Sequence, residues 1–282
     1  MTSDPPGQVA RALQSLAAFV DEIVVGVDSR IPVQTLAPLR DVADKLLQFE
    51  FRAPVDRPRA WLASHCAGDW LFWLDGDEIP SPEIGPRLRE LSLARDVLQY
   101  AFTRRWLYGD RSRWLNENPW WPDFQIRMVR NDPASLWFGL THVPIGPAPP
   151  IRYLDLPIYH LAALAPRAVR ERKIEAYERD LPGMVSPAGG PFNEILFTPE
   201  THARLAPVAV PDAHRRLIDA VVEASTAAIK PADVQVVRAG SDGDGHRDSD
   251  PHRHCDRNSH ADRDSDTHGD ADGVVHHRLR PG

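Results

Sequence analysis

The amino-acid sequence predicts an α/β fold, a doubly wound and mostly parallel sheet with helices on both faces. Three observations lead there. Short β-branched or wholly apolar runs read as buried strands, amphipathic stretches of about ten residues separate them, and acidic or turn residues close the strands. Residues 8–19 place Val9, Leu13, Leu16 and Ala17 on one face of a helix. Residues 22–27 form a β-branched run that stops at Asp28-Ser29, and 38–46 repeat a helical period before a second strand at 47–51. A helix over 57–67 precedes the apolar run 70–74, which ends in Asp75-Gly76-Asp77. Ser81-Pro82-Glu83 opens a helix over 84–93, with proline where a first turn tolerates it, and 97–106 reads as a strand. From 106 to 159 Trp, Pro and Gly break the rhythm, and irregular strands and loops over one end of the sheet are expected. Helices return at 166–181 and 212–229, joined by a Pro/Gly-rich connector over 182–211.

Composition bounds the function. The chain has 282 residues, ample for a buried core, and a net charge of -7 offers no electrostatic attraction to nucleic acid or an anionic membrane. Cys66 and Cys255 cannot build a disulfide framework, so a reducing, cytoplasmic setting is expected. No apolar run reaches the length of a membrane span, and no basic segment followed by an apolar stretch marks a secretory leader. Composition changes sharply after Ala239. Residues 240–282 carry seven histidines and ten aspartates with few large apolar side chains, a composition expected to be disordered. Weak metal binding by its histidines is one reading of this tail; a low-complexity or frame-shifted extension is the favoured one. The predicted organisation is a main domain over 1–181, a connector and helix over 182–239, and the tail.

The strongest chemical signal is the apolar strand ending in Asp75-Gly76-Asp77-Glu78. Carboxylates at the carboxyl edge of a parallel sheet stand where open α/β folds bind ligands. Two aspartates around a glycine can approach Mg²⁺ or Mn²⁺ and the phosphates it carries, or form an acidic turn. The tryptophans between 106 and 137 can stack on sugar rings or fill a core.

The string GDWLFWLDGDE resembles the region around the DxD motif of family 2 glycosyltransferases. The run ending at Asp28-Ser29 is similar to that family's second strand. Gln125-Ile126-Arg127-Met128-Val129-Arg130-Asn131 resembles its paired-arginine segment, Thr141-His142-Val143 its histidine motif, and Ile158-Tyr159-His160 with the basic helix after it a frequent closing segment. The resemblance covers about residues 8–181. It implies a GT-A fold and an inverting, metal-assisted transfer from a nucleotide-sugar donor to a glycan, a lipid-linked or another acceptor, with peripheral membrane contact if the acceptor is a lipid. Asp28 would hold the donor base, Asp75 would sit near the ribose or metal, and Asp77 would bind the metal. His160 and His142 would be metal or phosphate contacts, or hydrogen-bonded structural histidines. Asp123 is the first candidate for the general base and Glu117 the second. Of Arg127 and Arg130, one would face phosphate or acceptor.

Members of that family open with an apolar strand and a Pro-x-x-Asn-like turn, whereas this chain runs from Met1 through Pro5-Pro6-Gly7 into its first helix. The strands ending at Asp28 and Asp75 are therefore expected to lack the strand between them. A start further upstream, a decayed copy, or replacement by another segment would each account for this. The alternatives in function are a degenerate, non-catalytic protein of the same fold, a metal-sequestering His/Asp protein, and a sugar-1-phosphate nucleotidyltransferase. The last normally carries a glycine-rich phosphate loop near its start, which this sequence lacks.

Overall fold

The computed structural model describes residues 4–50, 58–133, 136, 145–180, 182–183, 192–201 and 205–226. His142, Trp137 and the tail with Cys255 lie outside the described residues.

Helix α1 (Pro6–Gln14) begins on a proline, whose missing N–H has no partner to lose in a first turn. It turns Val9 and Ala10 onto strand β1 (Val24–Asp28) and Ala12 toward Ile218 and Val221 of α7 (Asp212–Thr226). A 3-10 turn (Val33–Leu36) and the short α2 (Ala37–Arg40) bury Leu36 and Leu39 and lead into β2 (Lys45–Phe49). That strand lies parallel to β1, with Val24 opposite Lys45 and Asp28 opposite Phe49.

After α3 (Arg59–Ala63) come β3 (Trp70–Phe72), β4 (Glu78–Pro80), α4 (Ile84–Ser92) and β5 (Gln99–Trp106). Next follow β6 (Arg113–Trp114), β7 (Phe124–Arg130), β8 (Ile151–His160) and α5 (Arg167–Asp180). The described chain closes with α6 (Phe192–Phe197), β9 (Val208–Ala209) and α7. A five-stranded sheet has the order β3-β7-β5-β8-β4, while β1-β2 and β6-β9 form separate pairs. Its two faces are covered as expected. Leu71, Trp73 and Val129 pack against Leu62 and Ala63 of α3, and Tyr100, Phe102 and Met128 against Leu88 and Leu91 of α4.

The α/β class and the flanking helices stand; the expected mostly parallel pairing does not. Among the described strands only β1–β2 and β5–β8 pair in parallel. The pairs β3–β7, β5–β7, β4–β8 and β6–β9 are antiparallel. A parallel neighbour needs a crossover, usually a helix, and the excursion from β5 to β7 contains none. It returns the chain alongside β5 in the opposite direction. The connector expected over 182–211 contributes more than a link, because Leu196 and Phe197 of α6 bury Trp106, Trp120 and Tyr177.

Tyr159 of β8 is fully buried and shares a 2.6 Å hydrogen bond with Nδ1 of His214, whose Nε2 lies 2.7 Å from Glu83. Burial pushes its phenol up to about 12, against about 10 for an exposed tyrosine. With the folded value raised, this contribution to stability is complete below pH about 10 and is lost as pH rises through about 12. In alkaline unfolding titrations, Tyr159→Phe is therefore expected to remove about 2 kcal/mol of the stability loss between those limits.

Candidate active site at the carboxyl edge of the sheet

The acidic turn is built by the end of β3 and the start of β4. Glu78 N–H donates to Asp75 O (3.1 Å) and Asp75 N–H to Glu78 Oε2 (3.2 Å), so the turn closes on itself. Antiparallel pairing sets Glu78 opposite His160, and Leu161 N–H donates to Asp77 O at 2.9 Å. Gln8 of α1 donates to Gly76 O at 3.1 Å. Asp77 Oδ2 then lies 3.2 Å from His160 Nε2 and 3.5 Å from Lys173 Nζ, which α5 delivers. The His160 ring meets Trp106 edge-on, and its buried Nδ1 has no hydrogen-bond partner among the described residues.

Arg127 supports this turn from beneath. Its neighbours Ile126 and Met128 pair with Ala101 and Tyr100, which leaves Arg127 as the extra residue of a β-bulge. A bulge redirects one side chain out of the alternation. Here Arg127 Nη2 donates to Asp75 Oδ2 at 2.8 Å and to Glu78 Oε1, and the side chain is fully buried. Burial pulls its pKa down, but Glu78 and Asp75 outweigh that and raise it, so the guanidinium stays charged. Arg104 Nη1 lies 3.8 Å from the same Glu78 oxygen.

Asp123 is the hub of a neighbouring network. Its Oδ2 accepts from Arg104 Nε (2.7 Å) and Trp106 Nε1 (2.9 Å), and its Oδ1 from Gln125 Nε2 (2.6 Å). Burial raises its pKa, yet the Arg104 charge and these three donors together hold it below the usual carboxylate value. A carboxylate so engaged is a weak proton acceptor. Glu117, the other candidate base, accepts Ala206 N–H at 2.6 Å and closes a turn through its own carbonyl to Trp120 and Trp121.

A cleft of about 980 Å³ opens over the turn. Asp75, Asp77 and His160 line it, as do Arg30, Arg104, Arg172 and Lys173. Asp28, Asp123, Glu117 and Arg127 do not line it; they hold residues that do or lie apart from it. Asp28 is buried at the end of β1 and binds Arg30 through both oxygens. Burial raises its pKa, and those contacts outweigh the effect and lower it. Arg130 donates to the carbonyls of Ala94 and Val97 and stacks over Trp70, away from the cleft. Of the expected sugar-stacking tryptophans that are described, Trp106 lines the cleft, while Trp120 is buried with its Nε1 on Leu196 O. Arg104 and Gln8 escaped sequence reading. Arg104-Arg105 at the end of an otherwise apolar strand was the available signal.

Mg²⁺ and Mn²⁺ take oxygen donors such as these carboxylates. Among the described residues no group of three or more His, Cys, Asp or Glu side chains is placed to hold a metal ion. A cation that bridges two phosphates needs only one or two carboxylates, the rest of its shell being phosphate and water oxygens. Asp75 and Asp77 at the rim of the cleft fit that open kind of site.

No family model matches the chain, and a search of characterised proteins returns no match. Solved structures do match. The chain is similar to S. aureus TarS (residues 1–349), with 14% identity, a TM-score of 0.40, and 66% of this chain aligned to 65% of that one. It is also similar to a mycobacterial protein, with 15% identity, a TM-score of 0.43, and 74% of this chain aligned to 82% of the other. The chain thus spans just under two thirds of the TarS chain, and likeness at this level carries no argument about activity.

Proposed function

We propose that the protein is a glycosyltransferase that holds a nucleotide-sugar in the cleft and passes the sugar, with inversion, to a hydroxyl of a glycan or lipid-linked acceptor. The observation that carries this reading is the Asp75-Gly76-Asp77 turn opening into a cleft whose other cationic wall includes Arg172 and Lys173. Asp77, with Asp75 beside it, would hold Mg²⁺ or Mn²⁺, which would supply Lewis-acid neutralisation of the departing diphosphate, and His160 would contact phosphate. Lys173 and Arg172 offset the same charge from α5. Arg127 fixes the orientation of Asp75, and Asp28 holds Arg30 at the nucleoside end. Among the described residues no helix is long and apolar enough to cross a membrane. The proposed setting is the cytoplasm, with peripheral membrane contact for a lipid acceptor.

The test is release of nucleoside diphosphate from a panel of UDP-, GDP- and dTDP-sugars. Release above the protein-free rate with Mn²⁺, abolished by EDTA, is expected for one base. A second reading, a non-catalytic protein of the same fold, draws on one observation: β1, which carries Asp28, shares no sheet with β3, which leads to Asp75. Binding of nucleotide without turnover of any donor would favour it.

In this proposal Asp123 is a positioning residue. Asp123→Asn is expected to lower kcat about tenfold by loosening Arg104, leaving the pH profile unchanged. A loss of about a thousandfold with disappearance of the acidic limb would make it the general base instead.

A further inference from the structure

We propose that the acceptor is an anionic amphiphile, a hydrocarbon chain joined through phosphate to the sugar whose hydroxyl is glycosylated. Its chain lies along a wall formed by Leu164, Val169 and Val222, and its phosphate meets Arg172. This rests on the glycosyltransferase reading and narrows its acceptor from a glycan or a lipid-linked molecule to the second. The wall grows out of the end of β8. Leu161, whose N–H donates to Asp77 O, leads into a 3-10 turn (Ala162–Leu164) and the Ala165-Pro166 step that opens α5. Leu164, Ala165, Pro166 and Val169 line the cleft from this segment, and Val222 of α7 joins them. Leu164 and Val222 pack on one buried cluster with Ile79, Tyr159 and Leu161, which sets the contributions of the two helices side by side.

None of these wall side chains can donate or accept a hydrogen bond. Val169 stays 43% exposed on a helix whose solvent side is otherwise charged, and a hydrocarbon chain laid against it removes that apolar surface from water. A free glycan needs the reverse, hydrogen-bond partners and open aromatic faces. The aromatic residues that line this end, Trp106, Tyr177 and Phe197, are buried. Tyr177 stacks on Phe197, and Phe197 packs against Trp106, so their faces are taken by one another. Charge selects the head group. Arg170 is committed to Glu200 and to the carbonyls of Ala165 and Phe197, and Lys173 lies 3.5 Å from Asp77. Arg172 lines the cleft, is exposed, and forms no ion pair among the described residues. Three residues separate it from Val169, so the two are neighbours on the surface of α5. A phosphate at the junction of sugar and chain then meets a guanidinium where its chain meets the apolar wall. Lys173 stays with the departing diphosphate at Asp77, and Arg172 is shared between the two phosphate groups.

The experiment titrates the full chain with farnesyl phosphate below its micellar concentration, with farnesol and with glucose 1-phosphate, read by tryptophan fluorescence. Farnesyl phosphate is expected to bind about tenfold or more tightly than either half alone. Val169→Gln should weaken farnesyl phosphate about fivefold and leave glucose 1-phosphate unchanged. Arg172→Gln should weaken farnesyl phosphate about fivefold and leave farnesol unchanged. Farnesyl phosphate binding no tighter than farnesol or glucose 1-phosphate, or binding that Val169→Gln does not alter, would overturn the proposal. So would a Tm lowered by about 3 °C or more in unliganded Val169→Gln, which would mean that the chain itself covers the wall. Nucleoside diphosphate with Mn²⁺ is titrated separately. No nucleotide response beside intact farnesyl phosphate binding counts against the transferase reading, and the reverse result counts against the amphiphile alone.

Discussion

Arg127→Met is expected to destabilise the protein by about 3–5 kcal/mol in urea unfolding, the largest stability loss of any substitution near the site. The reason lies in what remains. Glu78 is fully buried and, among the described residues, would be left with Arg104, 3.8 Å away, and the Asp75 N–H to face it. Glu78→Gln, which leaves the guanidinium its 2.8 Å pairing with Asp75, is expected to cost less. Arg127 Nε and Nη1 already find no acceptor among the described residues, so the pair as it stands is far from ideally solvated by protein. Removing both charges in Arg127→Met/Glu78→Gln should therefore cost less than the two single changes added, with a coupling of about 1–3 kcal/mol. Single changes costing under about 1 kcal/mol would mean that water reaches this pair and that it does not brace the turn.

Asp77→Ala is expected to show the opposite balance. Its side chain is partly exposed and faces the His160 imidazole and the Lys173 ammonium across the cleft rim. Stability should change by about 0.5 kcal/mol or less. Donor turnover should fall by about a hundredfold or more, because the carboxylate proposed to hold the cation is gone. Lys173→Gln, which removes compensating charge but no proposed ligand, should fall less. Comparable losses in both would shift the burden of diphosphate neutralisation from the cation to α5.

Elements whose signal is local were legible in the sequence. Helices α4 and α5 fall within a residue of their expected bounds, because the apolar period of α4 and the charge-rich run after Pro166 mark them. Of the helix expected over 57–67 only Arg59–Ala63 is helical among the described residues, with Pro58 just ahead of its first turn. Strand direction was not legible. It depends on β7 turning back between β3 and β5, a choice made by contacts distant in sequence. At the site, Asp75 and Asp77 stood out because an apolar run delivers them to a strand end. The sequence does not separate Arg127 from Arg130, whereas the bulge at position 127 turns that side chain inward under the acidic turn. The role of Asp123 as a clamp on Arg104, Trp106 and Gln125 needed the antiparallel pairing of β5 with β7, which the sequence pattern did not predict.

The central claim, a donor-nucleotide site at the Asp75–Asp77 turn, is tested most directly by thermal shift with a panel of nucleoside diphosphates, with and without Mn²⁺, on the full chain and on Asp77→Ala. One base is expected to raise Tm, by about 2 °C or more, only when metal is present and only with Asp77 in place. A folded protein whose Tm no nucleotide moves, or moves equally in Asp77→Ala, would contradict it.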